Sequence, residues 1–339
     1  MSATESTSQE RRFADPRRFL TILDDPLYGL IVDLQDLVNV ETTRLWSERG
    51  LRSLHLPITT TSISSPMGLG SDSEPVEISL FGERTYLADS MQFMLEYGCR
   101  LTGAGAYYVM PSFRGEDPDP LHLNQFFHSE AEIHGRLADV MGAVEQYLRH
   151  LVDAALSTYG DRIAGIAGTT RHARQLLDLR AVPRMTYDEA AAHLRDDPTC
   201  IRRMPGWRVL TRAGEQRLLR EVSPVLWVTH YDHLAVPFYQ AFADGGRDRA
   251  LNADLLLGMG EMVGCGERHT TVDTLLDALH LHDVEPSQYS WYVQMKRERP
   301  VPTAGFGLGI ERFLAWLLCL DDIRDVPLVQ RLKGLPTAP

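Results

Sequence analysis

Three glycines alternate in Gly305-Phe306-Gly307-Leu308-Gly309 and lead straight into Ile310-Glu311-Arg312 and an apolar run to Leu320. No other stretch constrains the chain as much. Alternating glycines let backbone approach a ligand closely. A helix opening just beyond them offers free N–H groups and the positive end of its dipole to an anion. Arg312 adds a permanent charge with bidentate donors suited to a polyphosphate. A dinucleotide fingerprint is the rival reading, but it requires G-x-G-x-x-G at the start of a βαβ unit, and this run lies near the end of the chain. Packing of a helix against a sheet explains the glycines but not the Glu311-Arg312 pair.

The remaining sequence supplies a frame. Residues 26–50 place Leu30, Ile31, Leu34, Leu37, Val38 and Leu45 at near-helical spacing, closed by Gly50. Residues 54–58 read as a short strand whose Pro57 suits only an edge or an end. The Ser-, Thr-, Gly- and Pro-rich residues 59–77 predict a long loop. Strands are expected at 76–81, 84–87, 107–113 and 123–133, with a helix at 91–101. Residues 135–158 form the clearest amphipathic helix, with Leu137, Val140, Met141, Val144, Leu148 and Leu151 on one face. The charged stretch 160–220 predicts a helical insertion, and strands return at 225–229 and 254–257. This order predicts an α+β fold around a largely antiparallel sheet, as a single domain over 26–339 behind a disordered or extended tail over 1–25.

Two further clusters carry chemistry. Asp254 and Glu261 stand seven residues apart with glycines between them, and Arg268 follows after seven more. The two carboxylates fit one Mg²⁺ that also holds phosphates, and they fit a solvated pair of acids equally well. Phe113-Arg114-Gly115-Glu116 precedes a polar loop that returns through His122-Leu123-Asn124-Gln125-Phe126-Phe127-His128-Ser129-Glu130. Arg114 at a strand end suits a phosphate clamp and Phe126 suits stacking on a base. A surface arginine and a core phenylalanine explain the same residues.

Taken together, these segments resemble motifs 2 and 3 of class II aminoacyl-tRNA synthetases of the aspartyl and asparaginyl subgroup. The G-x-G-x-G-x-E-R run is kept, followed by Ile323-Arg324-Asp325-Val326, and the spacing of Asp254, Glu261 and Arg268 is kept in full. The resemblance spans roughly residues 28–331. It implies that Arg114 binds the α-phosphate and the carboxylate under attack, and that Glu116 contacts the adenine or ribose side. Phe126 and Arg312 would sandwich the adenine, with Arg312 near the γ-phosphate, and Gly307 and Gly309 would line the ATP site. Asp254 and Glu261 would hold Mg²⁺. Ser90, Gln92, Glu130 and Arg268 would read the amino acid. Pro57 matches a proline at the family's homodimer interface.

Composition narrows the functions further. The net charge of −12 opposes a general nucleic-acid binder, because that affinity comes from Lys and Arg neutralising phosphates. The basic stretch 171–184 has no interleaved aromatics. Four scattered cysteines without a Cys-x-x-Cys predict neither a disulfide framework nor a zinc site, and a reducing cytoplasm. No apolar run is long enough to span a membrane, and residues 1–15 lack the apolar stretch of a secretory signal.

Full-length members of the subgroup carry an N-terminal anticodon-reading barrel, which finds no counterpart ahead of residue 28. That departure and the acidic charge make tRNA an unlikely partner. They turn the expectation toward truncated, archaeal asparagine synthetase-type paralogs. Leu95, however, occupies the place of a lysine in aspartate-specific enzymes. The expected activity is therefore ATP-dependent, AMP-forming activation of aspartate or a close analogue, with transfer to ammonia or a small amine. Two alternatives stay open: transfer of an activated amino acid to a protein, carrier or biosynthetic intermediate, and a catalytically silent amino-acid sensor.

Overall fold

The strongest helical period is realised as the longest helix. In the computed structural model, which describes residues 13–64, 73–243 and 246–335, it runs Leu137–Ala167 and ends on left-handed Gly168. The described helices are α1 Arg18–Thr21, α2 Pro26–Glu48, α3 Gln92–Thr102, α4 Leu137–Ala167, α5 Arg171–Asp178, α6 Tyr187–His193, α7 Arg212–Glu221, α8 Val272–Leu281, α9 Ser290–Glu298 and α10 Ile310–Leu317. The strands are β1 Arg52–Ser53, β2 Thr59–Thr60, β3 Val76–Leu80, β4 Glu83–Leu87, β5 Ala106–Phe113, β6 Gln125–His134, β7 Arg184–Thr186, β8 Ile201–Met204, β9 Trp207–Leu210, β10 Val225–Thr229, β11 Asn252–Leu257, β12 Gly260–Glu267 and β13 Thr303–Gly309.

Eight strands form one sheet in the order β1-β5-β6-β13-β12-β11-β10-β7. Its inner pairs are antiparallel, and only the outermost pairs, β1 with β5 and β7 with β10, are parallel. This is the expected α+β arrangement, a class II synthetase-type sheet flanked by helices. Helix α4 lies on β12 and β13, and α2 packs on α4. Leu30, Ile31 and Leu34 thereby join Val144, Leu148 and Phe306 in the main core. Trp46, Tyr147 and Phe306 meet there with ring centroids 5.1–5.8 Å apart. Burying such rings contributes about 1.5–3 kcal/mol each. One sheet face is thus sealed, leaving the other for a site.

Local expectations differ from the structure at four places. Residues 54–58 form no strand, since Pro57 has no N–H to give a ladder; the flanking pairs 52–53 and 59–60 pair instead. Gly260–Glu267 is a central strand despite three glycines. The segment 160–220 carries β7 and a β8–β9 hairpin besides its helices, turned by Pro205 and Gly206 at φ +87°. Residues 13–25 are largely exposed but anchored at two points: Phe13 is buried beneath the Arg324 guanidinium, and Arg18 donates to Leu328 O and the Tyr28 hydroxyl. The expected tail over residues 1–12, and part of the expected loop, residues 65–72, lie outside the described residues. All four cysteines are free, and no helix among the described residues is long and apolar enough to cross a membrane.

Candidate active site

Strand alternation on β6 builds the exposed face of the sheet. Phe126, His128, Glu130 and Glu132 point one way along it, while Ser129 and Ala131 face the core, where the Ser129 hydroxyl meets Tyr147. On β13, Gly309, Gly307 and Gly305 lie opposite His128, Glu130 and Glu132. The glycines thus make room for acidic side chains as well as for any ligand. A Cβ on Gly307 would come within 2.8 Å of Glu130 Oε1, and one on Gly305 within 2.7 Å of Arg268 Nη2 and closer still to Glu132.

One end of this face is a buried polar cluster. Arg268, directly after β12, donates Nε and Nη2 to Glu132 at 3.1 Å, Nη1 to Gln240 Oε1 at 3.0 Å and Nη2 to Gln92 Oε1 at 3.1 Å. Its guanidinium lies over the Tyr239 ring at 5.0 Å. Glu130 accepts from Ser90 Oγ at 2.6 Å, from Gln92 Nε2 at 3.3 Å and from the Tyr108 hydroxyl. Burial pushes the Glu130 carboxyl up to about 8, against the pull of the Ser90 hydrogen bond. Burial also raises Glu132 to about 7, with Arg268 pulling it back. Behind them Lys296 pairs with Glu96, both fully buried.

The other end is an open cleft of about 520 Å³ lined by Arg114, Phe126, His128, Asp254, Glu261 and Arg312, and reaching Gly307 and Gly309. The Arg114 guanidinium lies 5.4 Å from the Phe126 ring centroid, and its buried Nε has no partner. Arg312 is held by carbonyls, donating to Glu261 O at 2.5 Å and Leu121 O at 3.2 Å, so no carboxylate neutralises it through these bonds. Glu311 is buried and accepts the Phe127 N–H at 3.0 Å, which ties the start of α10 to β6. Asp254 and Glu261 converge above Gly264: a Cβ there would lie 3.6 and 2.8 Å from their oxygens. Loss of water and the Glu261 charge raise Asp254 well above the usual carboxylate range. Among the described residues no three metal-binding side chains gather into a complete site. Two repelling carboxylates nonetheless suit Mg²⁺, which habitually takes one or two protein carboxylates and completes its shell with phosphates and water.

His128 joins the two ends, with Nδ1 2.9 Å from Ser112 Oγ and 3.5 Å from Glu130. Burial and the charges of Arg114 and Arg312 push its imidazole down to about 3, so it is neutral. Glu116 does not line the cleft but sits behind Arg114: its Oε1 lies 4.0 Å from Arg114 Nη1, and its other oxygen accepts the Glu74 N–H at 3.0 Å. Cys265 is buried, and burial raises its thiol, which leaves it inert. Sequence reasoning missed Glu132, Tyr108, Gln240, His128 and Glu215. The period of two starting at Phe126 was a signal for His128 and Glu132, whereas nothing local marks Tyr108, Gln240 or Glu215.

The sequence matches the family described as tRNA synthetases class II (D, K and N) over residues 15–332. It is 26% identical to asparagine–tRNA ligase of Syntrophobacter fumaroxidans over 331 residues, covering 90% of this chain and 70% of that one. It is 28% identical to the Xanthomonas euvesicatoria enzyme of the same name over 338 residues, covering 91% and 71%. Asparaginyl-tRNA synthetase from Pyrococcus horikoshii, solved with asparaginyl-adenylate, superposes with a TM-score of 0.86 at 25% identity, covering 95% of this chain and 73% of that one. These relatives overturn the expected transfer to ammonia or a small amine and the exclusion of tRNA. The physical reason is that a net charge of −12 sums the whole surface, while acyl transfer needs only a local contact at the cleft. The chain belongs to the class II tRNA synthetases of the D, K and N type.

Proposed function

We propose that this chain activates asparagine with ATP, forming asparaginyl-adenylate and pyrophosphate, and passes the acyl group to tRNA. One observation carries the choice of amino acid. Arg268 has four of its five N–H donors engaged by Glu132, Gln240 and Gln92 before any substrate arrives. A single remaining donor suits one amide carbonyl. A carboxylate would want two, and it would also face Glu130 and Glu132, whose oxygens can instead accept from an amide NH₂. The asparaginyl relatives, and the P. horikoshii structure with its asparaginyl-adenylate, support the same reading.

The α-carboxylate of the amino acid forms a bond to the α-phosphorus as the bond to the pyrophosphate oxygen breaks. Two anions must meet, so fixed positive charge is the main requirement. Arg114, with its unpartnered Nε, would hold the α-phosphate and the attacking oxygen. Arg312 and Phe126 would take the adenine between them. Mg²⁺ held by Asp254 and Glu261 would offset the charge of the phosphates. Ser90, Gln92, Glu130 and Arg268 would bind the amino acid, and Gly307 and Gly309 leave the floor low enough for it. The acceptor hydroxyl then attacks the acyl carbon and AMP leaves. Exposed Pro57 and Ile58 beside the short β1 edge support a homodimer, testable by sedimentation.

The decisive test is amino-acid-dependent ATP–pyrophosphate exchange across the twenty amino acids, followed by acylation of asparagine tRNA. Exchange with asparagine and acylation of that tRNA are expected. Exchange favouring aspartate would sink the pocket argument, and exchange without acylation would sink the tRNA step.

A further inference from the structure

Several arginines on the segments beside the cleft arrive paired. Arg208 and Arg249 share Asp188 and Asp232, and Arg217 holds Asp196 and Glu221. Arg202 and Arg212 differ. Both are exposed, both line the cleft, and neither side chain makes a hydrogen bond or a close ion pair with a described residue, although the charge of Arg212 is felt by Glu215. Arg202 stands on β8 opposite Val209, which also lines the cleft. Arg212 opens α7, three residues before Glu215 and so on the same helical face. Glu215 reaches over Gly260, at the start of the strand that carries Glu261. The cleft therefore has two cations without an ion-pair partner on the segment between β7 and β10, the Asp254–Glu261 pair on the sheet, and Arg312 on α10. In a chain of net charge −12, protein carboxylates are plentiful. Cations that line a cleft and stay unpaired mark the place of a ligand with several negative charges.

We infer that Arg202 and Arg212 form the subsite for the pyrophosphate end of the nucleotide, its β- and γ-phosphates and the free pyrophosphate after reaction. The inference rests on reading the cleft as the ATP site. As the α–β bridging bond breaks, the electron pair leaves with the pyrophosphate and charge grows there, with no proton transferred. These two arginines, lining the same cleft as Arg312, meet that charge. Phosphates of a tRNA acceptor strand are the other source of the same chemistry, and the test separates the two.

The test compares the full chain with Arg202→Ala, Arg212→Ala, the double variant and the corresponding lysine variants. Readouts are the KM for pyrophosphate in exchange and the single-turnover transfer of acyl from preformed adenylate to tRNA. Loss of a charge-assisted phosphate contact should raise the pyrophosphate KM by roughly 10-fold or more per arginine. Lysine should restore part of it, and the asparagine KM and the transfer rate should hold within about twofold. An unchanged pyrophosphate KM overturns the inference, and slowed transfer alongside it reassigns the arginines to the acceptor strand. If the unaltered protein shows no exchange, the proposed function fails. Calorimetric binding of inorganic pyrophosphate with Mg²⁺ then decides the subsite: binding lost in the double variant upholds it, and binding retained or absent throughout overturns it.

Discussion

At the amino-acid end, the strong charges already have protein partners. Glu132 holds Arg268, Glu96 holds Lys296, and Ser90, Gln92 and Tyr108 converge on Glu130. At the other end the charges are less closely matched: Arg114 pairs with Glu116 only at 4.0 Å and keeps a buried Nε without a partner among the described residues, Arg312 hydrogen-bonds to carbonyls, and Asp254 and Glu261 repel each other. The first arrangement can be assembled during folding, because its desolvated charges are compensated internally. The second keeps its electrostatic demand for a ligand that brings phosphates and a cation. On the proposed function, selectivity would reside in the pre-paired pocket and catalytic charge in the less satisfied cleft.

The largest expected effect breaks the pre-paired end. Arg268→Ala leaves Glu132 buried without its cation and should cost about 3–5 kcal/mol, with exchange lost. Chemical denaturation and the exchange assay both read this, and an unchanged midpoint would refute the buried-pair account. Gly305→Ala should act similarly, since its Cβ would intrude on Glu132 and Arg268.

Arg114→Ala should do the reverse. The side chain is 29% exposed, so thermal stability should move little, while the exchange kcat falls roughly 10²–10³-fold. Equal loss of stability and activity would erase the contrast between the two ends.

A pH series sharpens it. Glu130 is raised from an ordinary 4.5 to about 8, so the folded state binds its proton more tightly than the unfolded state. The stabilisation is fully present below about pH 4.5 and is lost as pH rises through 8. Glu130→Gln should therefore flatten the fall in melting temperature between those limits; an unaltered slope would show that another group carries it.

The smallest effect is the control. Arg84 and Glu77 form an exposed pair on the β3–β4 hairpin, 69% and 51% accessible. Arg84→Ala should change stability by less than about 1 kcal/mol and leave exchange intact.

Much of the fold was legible because its signals are periodic. The face of α4 from Leu137 to Leu151, the strands beginning near 107 and 225, and the start of α10 after Gly309 all follow spacing that burial enforces. β12 was not legible, since glycines disfavour strands in isolation and Gly264 and Gly266 serve side chains from elsewhere in the chain. The β8–β9 hairpin hid in charged sequence, although Pro205-Gly206 is a turn signal. Spacing and residue type brought forward Arg114, Phe126, Asp254, Glu261 and Arg312, with surface, solvated or core readings open for the first four, and all five line the cleft. The resemblance also supplied Ser90, Gln92, Glu130 and Arg268, but not what they bond to.

By itself the sequence determined the family, the α+β class and the residue types that meet at the cleft, because local periodicity and motif spacing are properties of neighbours along the chain. Only the tertiary structure decided that Arg268 is already neutralised by Glu132, 136 residues away, and that Gln240 shares its guanidinium. It also decided that Glu116 lies off the cleft while Arg202 and Arg212 line it. Those are questions of which charge lies within a few ångströms of which. Coulombic and hydrogen-bond energies depend on that distance and on the water excluded from it, which chain order alone does not specify.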